Sequence, residues 1–204
     1  VRSKAEIGNL LAQQQNVSPA VYAKDFILSK KDSADKNLRL LISQQLQHLL
    51  PNIAAISAGF AEKDHIEQAQ TALNHLYLSL HIFKDWSPSL SSKWTNQLNA
   101  FKQQFENLQH LQHMQDTLGT FLQNPNTSSN LEKDILYAKE KLNNLVKSTQ
   151  NVHHFLELLI FSLEENDVQQ KQDLKAFAQN TLQHQYKILQ ESLIFLKLLF
   201  LLLI

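Results

Sequence analysis

Ile66-Glu67-Gln68-Ala69-Gln70-Thr71-Ala72-Leu73-Asn74-His75-Leu76-Tyr77-Leu78-Ser79-Leu80-His81-Ile82-Phe83 is the stretch that decides the fold class of this chain. Its apolar residues Ile66, Ala69, Leu73, Leu76, Leu80 and Phe83 recur in steps of three and four. That spacing brings side chains onto one stripe of an α-helix, whereas a strand would scatter them over both faces. So regular a seam needs other helices to cover it, and the stretch predicts one member of a bundle, running from about residue 64 to residue 86.

The flanking sequence repeats the pattern. Upstream, Leu38, Leu41, Ile42, Leu46, Leu49, Ile53 and Ile56 fall on one helical stripe, with Ser33 suited to the N-cap and Gly59 to the C-terminal stop. Pro51 lies inside this helix, removes a backbone donor and predicts a kink near Leu50. Downstream, Ser87-Pro88 opens a third helix through Leu90, Trp94, Leu98, Phe101, Phe105 and Leu108, as far as Leu122. The cluster Asn124-Pro125-Asn126-Thr127-Ser128-Ser129 reads as a loop. A fourth helix from 131 to about 165 follows, in which Ser148-Thr149-Gln150-Asn151 is a weak helix-forming stretch where it could split. A fifth begins near residue 170 and carries Leu174, Phe177, Leu182, Leu189 and Leu193.

The ends read differently. In residues 1–32 the apolar residues have no helical period, which suggests a strand remnant and a linker. Residues 193–204 are almost all apolar apart from Lys197, yet too few to span a bilayer, which takes about 20 residues. A buried terminal helix is the expectation for this tail, with a subunit interface or a truncated remnant as the alternatives. The fold expected is therefore all-α, an antiparallel bundle of about five long helices preceded by a short extended arm.

Composition narrows function mainly by exclusion. The chain has 204 residues with 3 Gly, 4 Pro and no Cys, so hairpin-rich folds, disulfide frameworks and thiol chemistry are disfavoured. Absence of Cys also fits a reducing, cytoplasmic compartment. Nineteen Lys and Arg balance nineteen Asp and Glu, leaving no electrostatic excess to draw the chain to nucleic acid. No Gly-rich phosphate loop, GxSxG elbow, HExxH pair or recognisable carboxylate pair occurs, so no catalytic residue, metal or cofactor is assigned. His110, His113 and Asp116 have a spacing that could line one side of a metal but name no ligands elsewhere, and His153-His154 point to different faces. Lys139, Lys141 and Lys147 are offset by Glu132, Asp134 and Glu140, a balanced exposed surface.

Residues 66–83 also resemble the signature helix of the CHAD family, helical domains named for their histidines that bind polyphosphate. The family frame reads roughly V-H-Q-x-R-V-A-L-R-R-L-R-x-x-L-R-x-F, and this sequence keeps Gln68, Ala72, Leu73, Leu76, Leu80 and Phe83 of it. The context is similar: 33–59 resembles the first CHAD helix, 98–122 the third, 145–159 with Lys147-Ser148 a later one, and 174–182 with Phe177-Ala178 the opening of the second half. Ser3-Lys4-Ala5-Glu6-Ile7-Gly8 in turn resembles the last strand of a CYTH triphosphatase domain, with Ile7 where that pattern has Arg. The two resemblances together imply the C-terminal part of a bacterial CYTH/CHAD protein of the inorganic triphosphatase type. Residues 1–32 would then end a CYTH-like domain and its linker, and 33–204 would form a CHAD-like domain incomplete at its C-terminal end.

The resemblance places a ligand-binding face at Glu67, Gln70, Asn74, His75, Tyr77, His81 and Lys147. Where the family helix supplies a His and several Arg, this one has no Arg. Neutral amides cannot replace the permanently charged planar guanidinium that clasps phosphate oxygens, and Glu67 repels an anion. The resemblance thus implies a non-catalytic polyphosphate-binding or regulatory module, weak and dependent on protonation of His75 and His81, beside an upstream CYTH domain. The alternative is a protein-interaction or dimerisation bundle, a homo-oligomer, that has lost its anion site. A basic concave face would mark the first, a broad exposed apolar patch the second.

Overall fold

The computed structural model describes residues 19–29, 32–83, 90, 92–118, 125–164 and 174–202. Among these residues the protein is all-helical, with α1 (Ala34–Ala58), α2 (Lys63–Phe83), α3 (Ser92–Leu118), α4 (Pro125–Lys147), α5 (Thr149–Leu163) and α6 (Leu174–Leu202). The caps of α1 are those its sequence offers. Ser33 stays extended and its side chain accepts from the Lys36 N–H, while Gly59 turns to φ +81° and donates its N–H to Ile56 O. Only a residue without Cβ adopts that left-handed turn without strain.

The α2 seam is buried as its spacing requires: Leu73, Leu76, Leu80 and Phe83 all lie in the core. They meet Leu38, Ile42, Leu46 and Leu49 of α1, and α1 also packs on α4 and α5. On its other flank α2 meets α3, which contributes Leu98, Phe101, Phe105 and Leu108 and packs in turn on α4. Phe101 and Phe155 of α5 close the interior with ring centroids 5.2 Å apart. The N-terminal turns of α6 touch α1, and Phe177 stacks on Phe83 at 4.6 Å.

Two expectations change. Six helices are described where about five were expected, because the fourth divides at Ser148, whose side chain caps α5 by accepting from the Asn151 N–H. The expected loop at 124–129 is helical from Pro125 onward, since proline fits the first helical turn, where its missing N–H has no partner to lose. Pro51 lies inside α1, as read from the sequence, on the exposed side of the helix. The ends expected for α2 and α3, the start of the last helix near 170 and the N-terminal residues 1–18 lie outside the described residues. So do the side chains of 192–202, and with them the expected burial of the tail.

Residues 19–29 form no helix and are strapped along α1 by two asparagines. The Asn52 amide accepts from Val21 N at 3.0 Å and donates to Val21 O at 2.8 Å. Asn37 does the same for Ser29, at 2.9 and 3.0 Å. A side-chain amide carries one acceptor and donors in the geometry of a peptide, so each asparagine pairs with the strap as a neighbouring strand would. The Tyr22 hydroxyl, donating to Asp64 at 2.9 Å, ties the strap to α2 as well.

α5 is fixed to α1 through Arg39, whose buried ion pair with Asp35 lies within α1. Arg39 Nε donates to Asp35 Oδ2 at 2.7 Å, its Nη1 donates to the Phe161 carbonyl near the end of α5, and the guanidinium lies 4.1 Å from the Phe161 ring centroid. Carbonyls in the last turn of a helix have no partner within it, so a cation is well placed there. The chain has only two arginines, Arg2 and Arg39, and the second holds these two helices together.

Candidate functional site

The polar residues of α2 occupy two flanks of the helix. Gln70, Asn74, Tyr77 and His81, with Glu67, recur in steps of three and four on the flank toward α3. His75 is six residues from His81, which at 100° per residue turns it about 120° away. It lies on the flank toward α1, where it adds to the electrostatic field at His48, whose Nε2 is 3.0 Å from Gln68 Oε1. The two histidines expected to act together therefore belong to different faces.

On the α3 side the flank is filled by neighbouring side chains. Tyr77 stacks near His81, with centroids 6.0 Å apart and planes 13° apart, and Lys102 Nζ sits 5.7 Å from the Tyr77 ring centroid. Lys102 also pairs with Glu106 at 3.2 Å, and Lys63 pairs with Asp116 at 3.2 Å. So α3 brings in a cation that reading α2 alone did not find, together with carboxylates that offset it. Lys63 and Lys102 stand against Glu67, Glu106 and Asp116, a balance without positive excess. Gln70 Oε1 and Asn74 Oδ1 are buried without a donor, and such oxygens accept from N–H or O–H groups and repel anions. Lys147 is exposed at the end of α4, a helix that packs on α1, α3 and α5, so it does not join this face.

His48 lines a cleft of about 130 Å³ under the strap, with Val21, Tyr22, Lys24, Gln44 and Gln47, and burial lowers its pKa. That cleft is small beside the ~300–1,000 Å³ typical of ligand pockets. His110 and His113 are exposed, and among the described residues no group of three or more His, Asp or Glu is placed to hold a metal ion.

Comparison with known proteins adds to this geometry. No family model matches the chain, and no curated protein matches it either. A solved structure does: the crystal structure of the CHAD domain from the plant Ricinus communis superposes with a TM-score of 0.66 at 12% sequence identity. The match covers 85% of this chain. The chain has a CHAD-type fold. It spans 60% of the length of that CHAD structure.

Within this CHAD-type fold the most distinctive surface lies on α5, away from the α2 flank that the resemblance pointed to. Val152, Leu156, Ile160 and Leu163 recur in steps of four, four and three, and they are 47%, 50%, 56% and 67% exposed. The apolar stripe expected for the fourth helix from its sequence runs through Val152, Leu156, Leu159 and Leu163, of which Leu159 packs partly against the core and the other three face outward. Phe155, Leu158 and Phe161 on the opposite side of the same helix are the residues that face inward. The signal available beforehand was that α5 is apolar nearly all the way round, the mark of a helix with neighbours on both faces.

The inner side of α5 also carries a group that titrates abnormally. His154 is 1% exposed, and burial lowers its pKa from the usual 6.5 to about 4, opposed by the nearby Glu157 carboxylate. Glu157 is itself held by Trp94 Nε1 at 3.4 Å and His153 Nε2 at 3.2 Å. Because the folded-state pKa is depressed, the unfolded chain takes up the proton first. The contribution of neutral His154 is complete above pH 6.5 and is lost as pH falls toward 4. The expected loss is about 3 kcal/mol of unfolding free energy across that window. Urea denaturation at pH 7.5 and pH 4.5 measures it; a His154→Gln variant should show a smaller drop, and an equal drop would rule the residue out as the cause.

Proposed function

We propose that this chain is a non-catalytic CHAD-type helical module that works by docking protein through the outer face of α5. The observation that carries the reading is the stripe Val152, Leu156, Ile160 and Leu163, apolar and solvent-facing, on a helix whose other side is already built into the core. The α2 flank, by contrast, offers an anion paired charges and buried acceptor oxygens. An antiparallel arrangement of the helices is part of the reading, supported by Lys63 meeting Asp116 and Tyr77 meeting Lys102, since residue numbers rise on α2 as they fall on α3.

Leu156→Lys with Ile160→Lys tests it. These side chains are half in water, so the double variant should keep its helical circular dichroism and stay within about 0.5 kcal/mol per site of the wild type. It should also lose the binding of an apolar fluorescent dye that the wild type shows. Dye binding unchanged by the substitutions would place the exposed apolar surface elsewhere and sink the docking role.

The CHAD-type fold itself favours a second reading, residual polyphosphate binding. Lys63 and Lys102 are already paired with carboxylates, so binding at the α2 flank would lean on His81 as a hydrogen-bond donor, should be weak, and should weaken further with salt. His81→Gln should abolish it, while His75→Gln, on the other flank, should not. Tight binding at pH 8 that survives both substitutions would move the site to another helix. Attachment to an upstream CYTH triphosphatase domain belongs to the same resemblance and rests on residues 3–8; an E-x-E-x-K strand motif in sequence preceding Val1 is the check. The lack of Cys supports a reducing, cytoplasmic setting for the module.

A further inference from the structure

We propose that residues 19–29 are a proton-sensitive strap: when His48 beneath it takes up a proton, the Val21 end lifts off α1 and opens the cleft, while the Ser29 end stays pinned.

The two ends are clamped alike but stand on different ground. Asn52 pairs with Val21 and Asn37 with Ser29 through the same two amide hydrogen bonds. The clamps are fifteen residues apart on α1, about 22 Å at 1.5 Å per residue, so one can open without the other. The Asn37 amide is held further by the Asp32 and Ser33 carbonyls. The Asn52 amide instead donates at 2.7 Å to the carbonyl of His48, one turn back. The titratable group therefore lies at the Val21 clamp alone.

His48 is 4% exposed, between the strap and α2. Three of the six residues that line its cleft, Val21, Tyr22 and Lys24, belong to the strap, so lifting that end is what admits water to the ring. Nε2 faces Gln68 Oε1 at 3.0 Å, and Nδ1 is buried without a hydrogen-bond partner. Contact with the Gln68 oxygen puts the single proton of the neutral ring on Nε2 and leaves a lone pair on Nδ1. A second proton goes to Nδ1, and a cation formed there is short of solvation while the strap is down.

The charges around the ring do not replace that solvation. The strap brings Lys24 to the cleft, and α2 brings His75, which disfavours a cation at His48. Residues 40–58 of α1 contain no Asp, Glu, Lys or Arg. Asp64 of α2 is engaged by the Tyr22 hydroxyl at 2.9 Å, with Glu67 acting on the same hydroxyl. Burial accordingly lowers the His48 pKa from 6.5, opposed by Gln68 and the Val21 backbone and reinforced by His75. Since the closed state has the lower pKa, the proton binds the open state more tightly. The closed state is favoured in full above pH 6.5 and loses ground as pH falls below it.

Amide hydrogen exchange of the 204-residue chain, followed by NMR at pH 7.5 and pH 5.5 and divided by the intrinsic rate at each pH, is the test. The Val21 amide reports its own end, and the Ser29 amide is the internal reference, since each donates to its asparagine. Protection of Val21 is expected to fall roughly three- to tenfold at the lower pH, the ceiling being set by one pH unit below an open-state pKa of about 6.5. Ser29 should keep its protection. His48→Gln should make Val21 protection the same at both pH values, whereas His75→Gln should leave the fall in place. Three results overturn the proposal: no fall at Val21, an equal fall at Ser29, or a fall that survives His48→Gln. A second measurement does not depend on that variant. The His48 ring protons should titrate closer to pH 6.5 in Asn52→Ala, where the clamp is gone, than in the wild type. An identical titration in the two would mean that the strap does not govern the ring, and would overturn the proposal as well.

Discussion

Replacing Asp35 by Leu lowers the unfolding free energy by about 3–5 kcal/mol, because it strands a guanidinium in the core. Asp35 and Arg39 are 4% and 6% exposed, and the carboxylate accepts from Arg39 Nε at 2.7 Å. Once it is gone, the cation keeps only the Phe161 carbonyl and ring, which cannot neutralise it. The pair is already incompletely satisfied, as Asp35 Oδ1 and Arg39 Nη2 have no partner. Removing both charges should therefore cost far less than removing one. Asp35→Leu with Arg39→Met is expected to lie within about 1 kcal/mol of the wild type, since apolar replacements remove the desolvation cost of both ions. Urea denaturation of the wild type and the single and double variants measures this. Amide exchange adds a second readout: in the single variant the last turn of α5 should exchange faster, because Arg39 is what grips the Phe161 carbonyl.

Leu76→Ala costs about 2–5 kcal/mol, the range for a fully buried leucine whose cavity the surroundings cannot collapse into. Leu76 is completely buried between α1 and α3 on a helix of otherwise well-packed seam residues. Two positions along, Leu78 is 52% exposed, and Leu78→Ala should change stability by no more than about 0.5 kcal/mol. The same chemical deletion on one helix thus separates burial from helix propensity, which Ala slightly improves at both sites. Equal losses at the two positions in a denaturant titration would mean that the seam runs along a different face of α2.

The helices were legible because burial on one side leaves a period in the sequence. The seam of α2 and the caps Ser33 and Gly59 of α1 lie where local rules put them. Local rules failed where one residue can serve two purposes. Pro125 sits in a polar cluster that reads as a loop, yet it begins α4. Asn37 and Asn52 give no signal of their own within a helical pattern, and in the fold their amides hold the strap of residues 19–29. The site was read from one helix at a time. Spacing alone already separates His75 from His81 around α2 by about 120°. What spacing cannot give is the neighbour, and it is α3 that supplies Lys102 over Tyr77 together with Glu106 and Asp116.

Sequence by itself determined that this chain is helical and which stripe of α2 goes inward, since periodicity is a property of a single segment. Tertiary structure alone decided that the equally regular stripe on α5 faces water while Phe155, Leu158 and Phe161 face inward. The physical reason is that a helix apolar on both sides satisfies the hydrophobic effect with either side first. The choice falls to longer-range contacts, here Arg39 to the Phe161 carbonyl and Phe101 against Phe155.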